Sequence, residues 1–174
     1  MGAEHQLRFL PIDSELTQAL SAGVTHFEEK YSAQLGECAD IVDEIAVQMN
    51  AFYESVPRPA PWIGYFAVDE NTRKVIGTAA FKSAPFGDQE IEIAYSTFKP
   101  FENKGYATAM AGKLVGIAAA STAVQKVLAH TLPEPNASTH VLQKNGFAFH
   151  GEVIDPEDGR VWRWEKPLAP SYQG

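Results

Sequence analysis

The 174-residue sequence contains a single cysteine, Cys38, which excludes an intramolecular disulfide framework and most cysteine-based zinc sites. No apolar run approaches the roughly 18 residues of a membrane span. Met1–Leu10 lacks the apolar stretch of a signal peptide. Cations are scarce, with 14 lysines and arginines against 22 acids and a net charge of −8. That balance argues against a nucleic-acid partner, which needs a basic face for the phosphates. His5, His26, His140 and His150 show no ligand spacing, so no metal is expected. There is neither a GxxxxGK(S/T) loop nor a three-glycine dinucleotide fingerprint. Internal repeats and low-complexity segments are also missing. What remains has the length of one domain and an ordinary hydrophobic content of 45%. The expectation is a single cytoplasmic domain spanning residues 1–174, monomer or homodimer, with no membrane association.

The patterning predicts a strand at Gln6–Leu10 and a helix capped at Asp13 or Ser14, with Leu16, Leu20 and Val24 on one face and Gly23 near its stop. A second helix is expected from Glu37 to about Glu54, carrying Cys38, Val42, Ile45, Met49, Phe52 and Tyr53 at helical spacing. Pro57, Pro59 and Pro61 end it. Strands follow at Ile63–Val68, Lys74–Lys82 and Gln89–Phe98, separated by reversals at Asp69–Arg73 and Ser83–Asp88. In the third, Glu90, Glu92 and Ala94 share one face, and Ile91, Ile93 and Tyr95 the other. The most regular helix period runs through Ala107, Met110, Ala111, Leu114, Val115, Ala118 and Ala119. Beyond it come a strand at Lys126–Thr131, a short helix at Asn136–Asn145 ended by Gly146, and strands at Phe147–Ile154 and Arg160–Lys166.

Chemistry concentrates where the third of these strands runs into the regular helix, through Glu102, Asn103, Lys104, Gly105, Tyr106, Ala107 and Thr108. The first turn of a helix offers unpaired N–H groups and a positive dipole end, a setting for an anion. Gly105 and Ala107 keep the surface low enough for a ligand to lie on the backbone. Residues 99–113 carry Lys99, Lys104 and Lys113 against Glu102, a net of +2 that leaves −10 on the rest of the chain. A cationic island in an acidic protein suits a polyphosphate. A plain strand–loop–helix junction with solvated lysines stays open as the other reading.

A second segment, Thr131-Leu132-Pro133-Glu134-Pro135-Asn136-Ala137-Ser138, continues to Lys144-Asn145-Gly146-Phe147. Together with Glu102–Met110 it resembles the GCN5-related N-acetyltransferase (GNAT) superfamily, in the RimJ/RimL-like branch of ribosomal-protein N-terminal acetyltransferases. The resemblance spans residues 63–166, with residues 1–56 matching only in their strand–helix–helix order. It departs in two places: Glu102 stands where that family has Gln or Arg, and Pro135 where the branch often has Asn.

The resemblance implies a mixed α/β (α+β) fold, with a mostly antiparallel sheet of about seven strands, one splayed parallel pair and about four flanking helices. It also implies an acyltransferase that moves acetyl from acetyl-CoA, a co-substrate, to a primary amine by direct attack in a ternary complex. The acceptor is a protein N-terminus or a small-molecule amine. Pyrophosphate would sit on Glu102, Asn103, Lys104, Gly105, Tyr106, Ala107 and Thr108. Pantetheine would pair with the backbone of Tyr95, Ser96 and Thr97, and a main-chain N–H near Ala94–Ser96 would serve the developing oxyanion. Keeping a lysine-like amine neutral at pH 7 costs about 4.6 kcal/mol, an α-amino group only about 1 kcal/mol, so a base matters most for the former. Glu92, then Glu90, are the candidates, with solvated carboxylates and a water relay as the competing account. The family's thiolate-protonating tyrosine is replaced by Leu142. The resemblance implies Ser138, the matching polar residue of that branch, as the candidate acid, or else a helix cap, and Asn136 either bonds the pantetheine amide or caps that helix. His130 reads as a packed residue. The acceptor side is expected from the first two helices, the Pro57–Pro61 linker and the acidic Asp155–Gly159 turn. A non-catalytic CoA-binding or sensory module of the same fold is the alternative.

Overall fold

The computed structural model describes residues 5–87 and 89–168, so Asp88 of the expected second reversal lies outside the described residues. The strands are β1 (Leu7–Pro11), β2 (Gly64–Asp69), β3 (Lys74–Phe81), β4 (Glu90–Thr97), β5 (Lys126–Thr131), β6 (Ala148–Asp155) and β7 (Gly159–Pro167). They form one sheet in the order β1-β2-β3-β4-β5-β7-β6. Every neighbouring pair is antiparallel except β4 and β5. The helices are α1 (Ser14–Ser21), α2 (Val24–Tyr31), α3 (Ala39–Ser55), α4 (Tyr106–Ala119) and α5 (Ala137–Lys144).

Strand alternation feeds two apolar layers. Phe66, Val68 and Val75 meet Leu16, Phe27 and Val42 on one face of the sheet. On the other, Ala67, Ile76 and Ile91 meet Met110, Leu114 and Leu142 of α4 and α5. No helix among the described residues is long and apolar enough to cross a membrane.

The expected first helix is two helices. Asp13, not Ser14, caps α1 by accepting from the Leu16 N–H at 2.9 Å. The chain then turns at Gly23 with φ 122°, a value that excludes helical continuation. Val24 consequently opens α2 and is 46% exposed, and α1 buries Leu16 and Ala19 in place of the expected Leu16–Leu20–Val24 stripe. That extra helix makes five among the described residues. The next helix starts later than expected, at Ala39, after a 3-10 turn over Gly36–Cys38, and buries Val42 and Ala46 while Phe52 stays exposed.

One buried polar contact ties the two ends of the fold's working region. The Tyr106 hydroxyl, at the start of α4, donates to the Asp69 carboxylate at the end of β2 at 2.5 Å. Burial alone pushes the Asp69 carboxyl up, but the Tyr106 bond and the N–H groups of the following turn outweigh it and hold the pKa below its ordinary value. A carboxylate depressed on folding contributes stability that is complete above the unfolded value, about 3.9, and is lost as pH falls through the folded one. Tyr106→Phe removes the main donor. It should cost about 1.5–3 kcal/mol near neutral pH and move the acid-unfolding midpoint upward, read by thermal denaturation from pH 3 to 7.

Candidate active site

The pairing of β4 with β5 stops early. It covers Glu90↔Lys126, Ile91↔Val127 and Glu92↔Leu128, after which β4 runs on to Thr97 and β5 to Thr131 without each other. β3 continues alongside β4, and β7 alongside β5, so the strands part with their outer neighbours still attached. The β3–β4 register decides which backbone groups face the opening. The Lys82 N–H bonds the Glu92 carbonyl at 2.9 Å, and the Phe98 N–H bonds the Ile76 carbonyl at 2.9 Å. Antiparallel pairing alternates strictly, so Ala94 and Ser96 spend their N–H and C=O on β3. Ile93 still turns its N–H to β5 at the last paired position, and Tyr95 and Thr97 turn their groups into the gap. Of the three residues expected to receive an extended ligand, Ser96 therefore offers no free backbone, and the N–H aimed into the gap near Ala94–Ser96 belongs to Tyr95.

One end of the gap leads to α4. Asn103 and Gly105 adopt φ 62° and 86°, a left-handed alternation of the kind that turns successive N–H groups to one side. Gly105 is the N-cap residue and supplies no side chain, and the first helical bond is Ala109 N–H to the Gly105 carbonyl at 3.2 Å. The N–H groups of the preceding turn are thus left without side-chain caps, on a surface where Glu102, Asn103, Lys104 and Gly105 are all exposed. Thr108 is held from behind, its carbonyl accepting from the Asn145 side-chain amide of α5's end at 3.2 Å. Tyr106 borders the loop through its main chain. Its ring is buried and its hydroxyl committed to Asp69, so only its main chain is free to serve a ligand. His5, for which the sequence carries no signal, stacks on the Tyr106 ring at 4.1 Å between centroids and bonds the Lys104 carbonyl through Nε2 at 2.5 Å.

The middle of the gap is a cleft of about 360 Å³ lined by Lys82, Glu92, Tyr95, His130 and Ser138, among others. Glu92 and His130 project from one face of the sheet, Tyr95 from the other. The Glu92 Oε2 lies 2.8 Å from His130 Nδ1 and 3.4 Å from Lys82 Nζ. Across the sheet the Tyr95 hydroxyl stands 3.5 Å from Ser138 Oγ, and burial pushes the Tyr95 pKa above the ordinary tyrosine value. Tyr95 thus brings a hydroxyl that strand alternation alone does not disclose, and His130, expected as a packed residue, is hydrogen-bonded to Glu92 at the cleft.

Two candidates lie elsewhere. Glu90 sits where β4 and β5 are still paired, salt-bridged to Lys126 at 3.2 Å and near Arg163 at 3.7 Å. Those cations also hold the buried Glu165, at 3.2 and 2.7 Å. Glu90 belongs to that ion network and not to the cleft, because the strands separate only beyond Glu92. Asn136 caps α5, accepting from the Thr139 N–H at 3.0 Å in a reciprocal capping box, which spends its side-chain oxygen. Ser138 is thereby released from capping. Among the described residues no cluster of three or more histidines, cysteines or acids could hold a metal ion.

Comparison with known proteins places these features in a family. Residues 11–148 match the family model described as acetyltransferase (GNAT) domain. No curated protein sequence matches significantly. Among solved structures, the chain is similar to RimL, a ribosomal-protein alpha-N-acetyltransferase in complex with coenzyme A. The identity is 16% and the TM-score 0.63, covering 93% of this chain and 94% of that one. It is also similar to ribosomal-protein-S5-alanine acetyltransferase from Vibrio fischeri, at 15% identity and TM-score 0.61, with coverage of 98% and 96%. A third is spermidine N-acetyltransferase from Vibrio cholerae in complex with CoA and spermine, at 13% identity and TM-score 0.62, with coverage of 94% and 96%. At such identities the likeness establishes the fold, a mixed sheet with one parallel pair, as the motif resemblance implied.

Proposed function

The chain belongs to the acetyltransferase (GNAT) family, and we propose on that premise that it moves an acetyl group from acetyl-CoA to a primary amine by direct attack. The observation that carries this reading is the gap between β4 and β5, which joins uncapped helix N–H groups at one end to titratable groups on both faces of the sheet. Acetyl-CoA would supply an activated acyl carbon on a thiolate leaving group.

The residues fit such a molecule. Main-chain N–H groups of Gly105, Tyr106, Ala107 and Thr108 would take the pyrophosphate, with Lys104 adding charge and Asn103 shaping the turn. The acid at Glu102 leaves the work to the amides. The free edge of Tyr95 and Thr97 would pair with the extended pantetheine, as an added strand does. The Tyr95 N–H would face the thioester oxygen and stabilise developing charge there. Glu92 and His130 would receive the amine's proton on one face. The Tyr95 hydroxyl, its pKa raised by burial and so kept protonated, would return a proton to the departing sulfur on the other, with Ser138 beside it. The two proton paths meet only at the gap.

Two relatives of this fold bear names that point to different acceptors, a ribosomal protein and spermidine. The proposal for this chain is an amine at a protein N-terminus or on a small molecule. Release of CoA thiol should be measured against N-terminal peptides, polyamines, amino acids and aminoglycosides. Turnover above the hydrolysis rate with at least one class is expected. Tight CoA binding with no turnover on any of them would instead identify a sensory module.

A further inference from the structure

From the disposition of the cleft we infer that His130 Nε2 is the atom that takes the proton from the acceptor amine, and that Glu92 is a positioning residue that orients the ring. This rests on the acetyl-transfer reading and assigns the proton acceptor within it. Glu92 occupies the last paired position of β4, opposite Leu128, whereas His130 lies two residues further along β5, where β4 has already moved away. The imidazole is therefore the deeper of the two groups in the opening. Glu92 Oε2 is already occupied, by His130 Nδ1 at 2.8 Å and by Lys82 Nζ at 3.4 Å. Side-chain exposure is 19% for His130 and 18% for Glu92, enough for contact with a ligand and too little for bulk solvation.

The hydrogen bond fixes the chemistry of the ring. A carboxylate on Nδ1 draws the proton to that nitrogen and leaves the Nε2 lone pair free, and Nε2 has no partner among the described residues. An imidazole is also ordinarily a better base than a carboxylate by about two units, closer to the value that serves proton transfer at neutral pH. The step balances as follows. The amine nitrogen bonds the acyl carbon as the carbon–sulfur bond breaks, one amine proton passes to His130 Nε2, and the thiolate takes one from Tyr95. The products are an amide and a thiol, and solvent restores both side chains. An acceptor that arrives as an ammonium first loses one proton through the same ring.

Groups on every neighbouring element face this ring. Glu92 comes from β4 and Lys82 from the end of β3. Arg163, the register partner of His130, comes from β7, Asp155 from the end of β6 and Asp158 from the β6–β7 turn. Opposite charges surround it on both sides, so the ring's own protonation, and not a lone neighbouring charge, should set the acidic limb of the rate profile.

The test uses the full chain with an acceptor found by the amine screen. His130→Gln should lower kcat at least 100-fold and abolish the acidic limb of kcat/KM, with CoA affinity by calorimetry within about twofold of wild type. Glu92→Gln should lower kcat about tenfold and displace that limb while retaining it. Independently of turnover, long-range ¹H–¹⁵N spectra of the ring should show, in the neutral form, a protonated Nδ1 and a bare Nε2, a signature that Glu92→Leu loses. Retention of the acidic limb in His130→Gln, or a proton on Nε2 in the neutral ring, overturns the assignment. A wild type that shows the bare Nε2 and binds CoA but acetylates no amine overturns the acetyl-transfer reading itself, and the base role with it.

Discussion

Replacing Ala107 with glutamate should weaken coenzyme A binding by a factor of 100 or more while leaving the melting temperature unchanged or slightly raised. The two effects separate because they draw on the same helix end in opposite ways. Ala107 is in the first turn of α4, where Gly105 gives no side-chain cap and the N–H groups before Ala109 are free. A carboxylate at that point is favourable for the isolated helix by a few tenths of a kcal/mol, since it faces the positive end of the dipole. It is unfavourable for an anionic ligand on the same amides. A pair of like charges about 5 Å apart at an effective dielectric near 20 costs about 3 kcal/mol, and about 2.8 kcal/mol already corresponds to 100-fold. Gly105→Asp adds backbone strain to the same repulsion, because Gly105 has φ 86°, so Ala107→Glu is the cleaner variant. An unchanged dissociation constant by calorimetry would remove pyrophosphate from this loop.

The elements around that loop were legible because each is announced by its own local pattern. The period of α4, the alternation of β4 and the glycine at the junction are all short-range properties of the chain. The first helix was not, because Leu16, Leu20 and Val24 keep a helical spacing straight through Gly23. Only the backbone at that glycine, φ 122°, shows that Val24 starts a new element on another axis. The site itself divides along the same line. Glu90 and Glu92 are equivalent on a strand, being two residues apart on one face, and what separates them is the point at which β5 ceases to pair with β4. That is a property of two strands and of the layers beneath them. The Tyr95–Ser138 and Glu92–His130 pairs join residues 43 and 38 positions apart, so neither can be read from spacing. Asn136 can be read both ways even with the fold in hand, since the capping box commits its side-chain oxygen to the helix and leaves the amide NH2 to donate elsewhere.

Removing one oxygen from Tyr95 should cost turnover as much as the loss of the His130 ring while leaving the fold intact. Tyr95→Phe keeps the ring, which packs against the α4-side core, and deletes a hydroxyl whose bond to Ser138 is long at 3.5 Å. Such a contact contributes little to folding, so the melting temperature should move by no more than a few degrees. The loss to catalysis is of another size, because the departing sulfur is then left to find its proton in water. A positioned acid is worth about 10²–10⁴ in rate, and kcat should fall by a factor in that range with CoA affinity unchanged. Ser138→Ala makes the comparison decisive. If Tyr95 is the donor and the serine only steadies it, the alanine variant should lose less than about tenfold. If the order is reversed, with Ser138→Ala costing 100-fold and Tyr95→Phe little, the serine hydroxyl is the acid. The strand favours the tyrosine for a physical reason: a phenol gives up its proton more readily than an aliphatic hydroxyl, and it rises from the same strand whose backbone would hold the thioester, so donor and leaving group share one rigid support.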